Sequence, residues 1–310
     1  MTASSETARE AGHGHGHAGA DVGRWAFVVG IGLNVAFVGV EAVAGALSHS
    51  TALFADAAHN LGDVLGLVVA WGASGLARLR PSPRHTYGLR RSTVLAALTN
   101  AVLLLAAVGA VVREAVHRFE EPAPVQGGTM MAVAAVGVVI NAVSAALFYR
   151  RGGHDVNVRA AFLHLAADAA VSLGVVLAGG LVLLTGSTLV DPVTSLVVSA
   201  VVLFGTWSLL RDALHLSLDG VPFHIELEQV RAYLAGLPGV ADVHDLHVWA
   251  MSTTEVALTA HLVMPWPEKE PAFLSTLERE LEERFGIAHA TIQIESCVDG
   301  DCRRTRPGAV

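Results

Sequence analysis

Hydrophobic positions along the chain fall into six long runs separated by short polar stretches, followed by a segment of a different pattern. The runs are 25–47, 52–77, 93–116, 129–149, 160–185 and 189–210. Each is long enough to cross a bilayer as a helix, which takes about 20 mostly apolar residues. The first is preceded by polar and small residues and lacks a short apolar core ending in a cleavage site, so it reads as a span and not as a leader. After Arg211 the pattern alternates as in a water-soluble domain. "IELEQVRAYLAGL" from Ile225 has helical spacing and stops before Pro238, "VADVHDLHVWA" and "EVALTAHLVM" read as strands, "FLSTLERELEERF" as a helix and "ATIQIES" as a third strand. The expected fold is an all-α six-helix transmembrane domain plus a C-terminal α+β domain with the order α-β-β-α-β. The corresponding divisions are an arm over 1–24, a membrane domain over 25–211, the α+β domain over 212–296 and a tail over 297–310.

Composition agrees with a chain dissolved mainly in lipid: 53% of residues are hydrophobic and 15% charged. A net charge of −8 with no basic groove argues against a nucleic-acid partner. Two cysteines, Cys297 and Cys302, both near the end, give no disulfide framework. The abundance of Arg, Ala, Gly and Val hints at a bacterial source, and so at the inner membrane. Arginines decide the orientation, because loops left in the cytoplasm carry the excess of basic residues. "RLRPSPRHTYGLRR" joins spans two and three, and Arg150, Arg151 and Arg159 lie between spans four and five, whereas "SHS" and "GS" on the opposite side carry none. Both termini are therefore expected in the cytoplasm, with membrane lipid as the surrounding partner.

Against this apolar background the second and fifth spans each contain a histidine followed four residues later by an aspartate: His59 with Asp63, and His164 with Asp168. An aspartate near the centre of a span costs about 2.5 to 3.5 kcal/mol on insertion scales and marks function by default. Residues four apart share a helix face, so each span offers two ligands on one side, and neither can enclose an ion alone. Together they supply two imidazole nitrogens and two carboxylates, a set that suits Zn2+, with Cd2+, Co2+ or Fe2+ as alternatives, and not the all-oxygen preference of Ca2+ or Mg2+. The competing reading is two buried His–Asp hydrogen bonds that tie helices together. Asp56 and Asn60 lie near the same face, either supporting the ligands or on a proton path, or in a structural role, and Glu41, Asn34, Asn100 and Asn141 are equally well read as interhelical hydrogen-bond partners. At 1.5 Å per residue, Asp63 lies about 22 Å from Arg78 but Asp168 only about 14 Å from Arg159, so the two pairs meet only if span two overhangs or the helices tilt.

"FADAAHNLGD" in span two, "HLAAD" in span five, the "RHTYGLRR" loop, and "DVHDLHVWAM" with "TIQIES" in the last domain resemble the cation diffusion facilitator family over nearly the whole chain. The resemblance implies a homodimer, export of Zn2+ from the cytoplasm in exchange for H+, and a ferredoxin-like, metallochaperone-like cytoplasmic domain. It assigns the transport site to His59, Asp63, His164 and Asp168, with histidine at the first of these positions as in zinc-selective members. Matching positions for a regulatory zinc site in the last domain are His244, His261 and Glu295. Gln293 stands where relatives have a histidine ligand, and His224 or His289 could substitute. Cys297 and Cys302 resemble the cysteine tails of some members, and the "HGHGH" run of His13, His15 and His17 resembles their histidine-rich arms. His85 is alone in the basic loop where some relatives place a further site. His247 and Trp249 are assigned to the strand face opposite His244, in packing roles.

Two other classes of function fit less of the sequence. An intramembrane metallohydrolase needs an open coordination position and a general base; two HxxxD pairs fill the shell, and no HExxH or nucleophile elbow occurs. A metal sensor anchored by its spans has no need of six of them with a polar constellation inside. The chain is not expected to be an enzyme.

Overall fold

In the computed structural model, residues 32, 35–151, 156–265 and 271–296 are described. Helix α1 covers Val35–Ser48, so part of the expected first span lies outside the described residues, as do Asn34, the histidines of the arm and both cysteines. Helices α2 (Thr51–Ala77), α3 (Ser92–Glu120), α4 (Gly127–Arg151), α5 (Val156–Thr185) and α6 (Val190–Ser217) follow, each containing a segment long and apolar enough to cross a membrane. The C-terminal domain then runs α7 (Leu227–Ala235), β1 (Asp242–Ala250), β2 (Val256–Val263), α8 (Pro271–Phe285) and β3 (His289–Glu295).

Apolar length predicts where the membrane helices lie but not where they stop. Helix α6 continues seven residues past Leu210, through Arg211, Asp212 and His215, because an α-helix tolerates polar residues once it leaves lipid. Helix α5 likewise starts at Val156, ahead of Arg159. That early start removes the apparent mismatch between the two HxxxD pairs. Arg159 belongs to the first turn of α5 and does not mark its end, so Asp168 lies 12 residues inside α5 and Asp63 lies 14 residues before the end of α2.

Helix α4 lies along α5, and α3 lies along α6 and α2, whereas α2 and α5 touch each other only over a short stretch. Close approach between α2 and α3 depends on Gly62 and Gly66, a small-xxx-small pair. A methyl group at Gly62 would overlap Leu104, and one at Gly66 would come within 2.7 Å of Asn100 Nδ2. An apolar cluster of Ala52, Leu53, Met130, Val175, Val198 and Val202 fills the bundle near the start of α2.

The start of α2 is held by a carboxylate from another helix. Asp191, in the first turn of α6 and 1% exposed, accepts from Thr51 N (2.7 Å), Thr51 Oγ1 (2.7 Å), Ala52 N (3.2 Å) and Ser50 Oγ (2.5 Å). Ser50 Oγ in turn accepts from Leu53 N. The first N–H groups of a helix have no partner within it and carry partial positive charge, so a buried carboxylate there is both satisfied and stabilising.

In the C-terminal domain the sheet order is β1-β2-β3, with β1 antiparallel and β3 parallel to the central β2. A parallel neighbour requires a crossover, which α8 supplies. Val230 and Leu234 of α7 and Leu277 and Leu281 of α8 pack on the face formed by Val243, Leu258, Ala260 and Leu262. Side chains alternate along a strand, so His244 and His261, directly opposite each other in the register, lie on the other face. This small domain of helices on one side of a three-stranded sheet is the expected α+β architecture.

The loop between α2 and α3 ties the two domains together. Arg90 Nη1 lies 2.5 Å from Glu255 Oε2, Arg91 pairs with Asp219, Thr253 N donates to Thr93 Oγ1 at 3.0 Å, and the Tyr87 ring meets His289 edge-on at 5.6 Å. The domain therefore sits at the end of the bundle where α2 finishes and α5 begins.

Candidate metal centres

Between α2 and α5 the two HxxxD pairs interlock crosswise. His59 Nε2 lies 3.1 Å from Asp168 Oδ1 across the helices and 3.8 Å from Asp63 Oδ2 along its own helix. His164 Nε2 lies 3.4 Å from Asp63 Oδ2 and 3.6 Å from Asp168 Oδ2. The crossing, 59 with 168 and 63 with 164, follows from antiparallel helices. His59, Asp63 and Asp168 present ligand atoms all within 4.8 Å of one another. Ligands at zinc distances of about 2.0 to 2.1 Å in a tetrahedron are about 3.3 Å apart along each edge. The four His–carboxylate spacings bracket that value, but they use both oxygens of Asp168, and His164, whose ring centre lies 6.3 Å from that of His59, falls outside the group of three. Exposure is graded, with the His164 side chain 53% open, Asp63 31%, His59 16% and Asp168 8%. The open members face the end that carries the C-terminal domain.

A polar ladder continues beyond the quartet, away from that domain. One turn before His59, Asp56 accepts from Ser172 Oγ at 3.0 Å, and Ser172 lies one turn after Asp168. Asn60 Nδ2 donates to Glu41 Oε2 of α1 at 2.9 Å. Asn141 is buried in α4, and on the other side of the quartet, toward the C-terminal domain, Asn100 packs against Gly66.

The second cluster is on the sheet face turned away from the two helices, with His261 itself buried. His244 Nε2 lies 3.2 Å from Glu295 Oε2, and His261 Nδ1 lies 2.9 Å from Glu295 Oε1, in poor alignment for a hydrogen bond. The three residues offer ligand atoms within 4.8 Å of one another, and the two imidazoles stand edge to face at 5.1 Å. Asp245, which the strand pattern gave no reason to select, extends this cluster: its carboxylate lies 3.4 Å from His261 Nε2 and 3.0 Å from His247 Nε2. It gets there through a β-bulge, with register shifting between His244 and His247 and Asp245 at φ 51°. Aspartate tolerates that left-handed backbone better than most residues. The bulge breaks strict alternation and corrects the expected packing role of His247, which is exposed and bonded to Asp245. Trp249 lines a cavity of about 370 Å³ between the domains together with Arg84, His85 and Tyr87.

The substitutes considered for this cluster lie elsewhere. His289 starts β3, six residues from Glu295, and meets Tyr87 edge-on; His224 is exposed ahead of α7. Gln293 pairs with His261 in the sheet and donates to Glu295 Oε1 at 3.0 Å, so it anchors the carboxylate of this cluster. His85 forms a two-residue bridge with Ser82 in the basic loop.

Comparison with known proteins matches this architecture part for part. The cation efflux transmembrane domain model covers residues 27–216 and the cation efflux cytoplasmic domain model covers 222–297. The zinc transporter ZitB of Escherichia coli (strain K12) is 38% identical over 275 residues, 87% of this chain and 88% of that protein. The metal cation efflux system protein CzcD of Cupriavidus metallidurans is 33% identical over 288 residues, 92% of this chain and 90% of that protein. The solved metal-bound C-terminal domain of CzcD is 35% identical over 23% of this chain and 99% of its own, with a TM-score of 0.22. An integral membrane bundle with a small α+β domain, matched by both family models over nearly its whole length, belongs to the cation efflux, or cation diffusion facilitator, family.

Proposed function

We propose that this protein exports divalent transition-metal cations, Zn2+ foremost, from the bacterial cytoplasm across the inner membrane in exchange for H+. The crosswise quartet of His59, Asp63, His164 and Asp168 is the carrier site. The convergence of His59, Asp63 and Asp168 from two helices within 4.8 Å, with His164 3.4 Å from Asp63, carries this reading. Similarity to the zinc transporter ZitB and to CzcD supports the choice of cargo.

Exchange follows from the chemistry of the ligands. Imidazole binds metal only when neutral and carboxylate only when ionised, so protons and metal compete for the same atoms. Helices α2 and α5 touch little beyond this site, so their relative position is free to respond to which cation it holds. With the termini cytoplasmic, the exposed His164 and Asp63 face the compartment from which zinc is loaded, and the apolar cluster around Leu53 and Val175 closes the other end. His244, His261, Glu295 and Asp245 form a cytoplasmic regulatory site, and the cytoplasmic domain pairs with that of a second copy in a homodimer. The arm histidines and tail cysteines add metal-capturing groups on the cytoplasmic side.

The test is purified protein in liposomes enclosing a pH-sensitive dye. Zinc added on the side of the C-terminal domain is expected to enter as the lumen loses protons; zinc flux that ignores an imposed pH gradient contradicts the exchange.

A further inference from the structure

Glu41 of α1 and Asp56 of α2 are 0% and 1% exposed, and both lie outside the quartet. Each carboxyl has one oxygen satisfied by a neutral donor, Glu41 Oε2 by Asn60 Nδ2 and Asp56 Oδ2 by Ser172 Oγ. The other oxygens, Glu41 Oε1 and Asp56 Oδ1, are buried with no donor. Asp56 and Asn60, the residue that holds Glu41, are four apart in α2 and share a helix face, so the two carboxyl groups lie on the same side of α2. Ionised carboxylates only accept hydrogen bonds, so two of them facing each other in the interior of a membrane bundle leave both oxygens unsatisfied and two charges uncompensated. A single proton converts one carboxyl into a donor for the other and removes one charge. The titratable groups acting on the pair from α2 and α5 are His59 and Asp168.

We propose that Glu41 and Asp56 form a proton-holding station separate from the metal quartet, sharing one proton through Glu41 Oε1 and Asp56 Oδ1 and releasing it during exchange. The station lies about one helical turn from the quartet, on the side away from the C-terminal domain. Its mechanical link to the metal site is Asn60, which follows His59 in α2 and holds Glu41. The ligand is a proton, and the O–H bond broken on release leaves its electron pair on a carboxylate oxygen. This role rests on the exchange reading above and assigns part of the proton traffic to residues that hold no metal.

The experiment combines infrared spectroscopy and transport on the full-length protein. Wild type is expected to show the carbonyl band of a buried protonated carboxyl, sensitive to D2O, that is lost in Glu41→Gln and shifted in Asp56→Asn. Zinc affinity is expected to persist in Glu41→Gln while the protons moved per zinc fall and the pH dependence of flux shifts. Absence of the band from wild type, or its persistence unchanged in Glu41→Gln, overturns the station, and the wild-type spectrum decides this even where a variant does not fold. If wild type moves zinc with no proton counterflow, the exchange reading fails and takes the release step with it. If wild type exchanges protons and Glu41→Gln carries the same number per zinc, the station alone fails.

Discussion

His59 Nε2 of α2 and Asp168 Oδ1 of α5 lie 3.1 Å apart, although 109 positions separate them in the chain. Their helices have little other contact, so this polar pair and its mirror, His164 with Asp63, form much of the junction between α2 and α5. A simple helix-packing role requires only that the pairs hydrogen-bond; a carrier role requires that all four groups be needed for flux. Asp63→Asn is therefore expected to reduce zinc flux to the level of empty vesicles while zinc binding by the C-terminal domain persists, measured by equilibrium dialysis of the full chain. Normal flux in Asp63→Asn returns the pair to a packing role.

The cytoplasmic-domain cluster predicts a separable loss. His261 is central, touching both Glu295 and Asp245. His261→Ala is expected to lower the zinc bound per chain without removing the quartet's share, and to leave the fold of the domain intact by circular dichroism. Unchanged zinc stoichiometry would show that this face holds no metal.

The residues that place α2 predict stability effects. Asp191→Ala strips acceptors from Ser50 Oγ, Thr51 N, Thr51 Oγ1 and Ala52 N at a buried helix start. One lost cap costs about 1 kcal/mol and each buried donor left unsatisfied about 1 to 3 kcal/mol. Thermal unfolding in detergent is expected to show a loss of at least about 2 kcal/mol, with Asp191→Asn intermediate because it keeps one acceptor oxygen. Equal stability of wild type and Asp191→Ala contradicts the cap.

Gly62→Ala probes the packing of α2 on α3. The added methyl meets Leu104, which must change rotamer or push the helices apart. Overpacking of this kind costs about 1 to 3 kcal/mol, and displacement next to Asp63 is expected to slow zinc flux as well. Pairing with Leu104→Ala is expected to restore both; failure of that rescue argues against this contact as the cause.

Legibility in the sequence followed the strength of the periodic signal. Spans over 52–77 and 93–116 were visible because nothing but lipid explains runs of that length, and the HxxxD pairs stood out because ionisable groups are costly there. The order α-β-β-α-β was visible in alternation. Asp191 was not, because an aspartate just ahead of an apolar run looks like the local first turn of its own helix; only the fold brings it to the start of α2. Asp245 was hidden by the same alternation that revealed β1, since a bulge turns its side chain toward His261. In sequence Glu41 resembles any polar residue in a span; only the fold sets it against Asn60, on the α2 face that carries Asp56. The start of α5 is not legible from apolar length, because Arg159 lies in its first turn and interrupts the hydrophobic run without ending the helix.

The most direct test of the central claim is zinc uptake into sealed vesicles by wild type and by Asp168→Ala, each with and without an imposed pH gradient. The account predicts uptake that rises with the proton gradient in wild type and is absent in Asp168→Ala under both conditions. Normal, gradient-driven uptake by Asp168→Ala would contradict it.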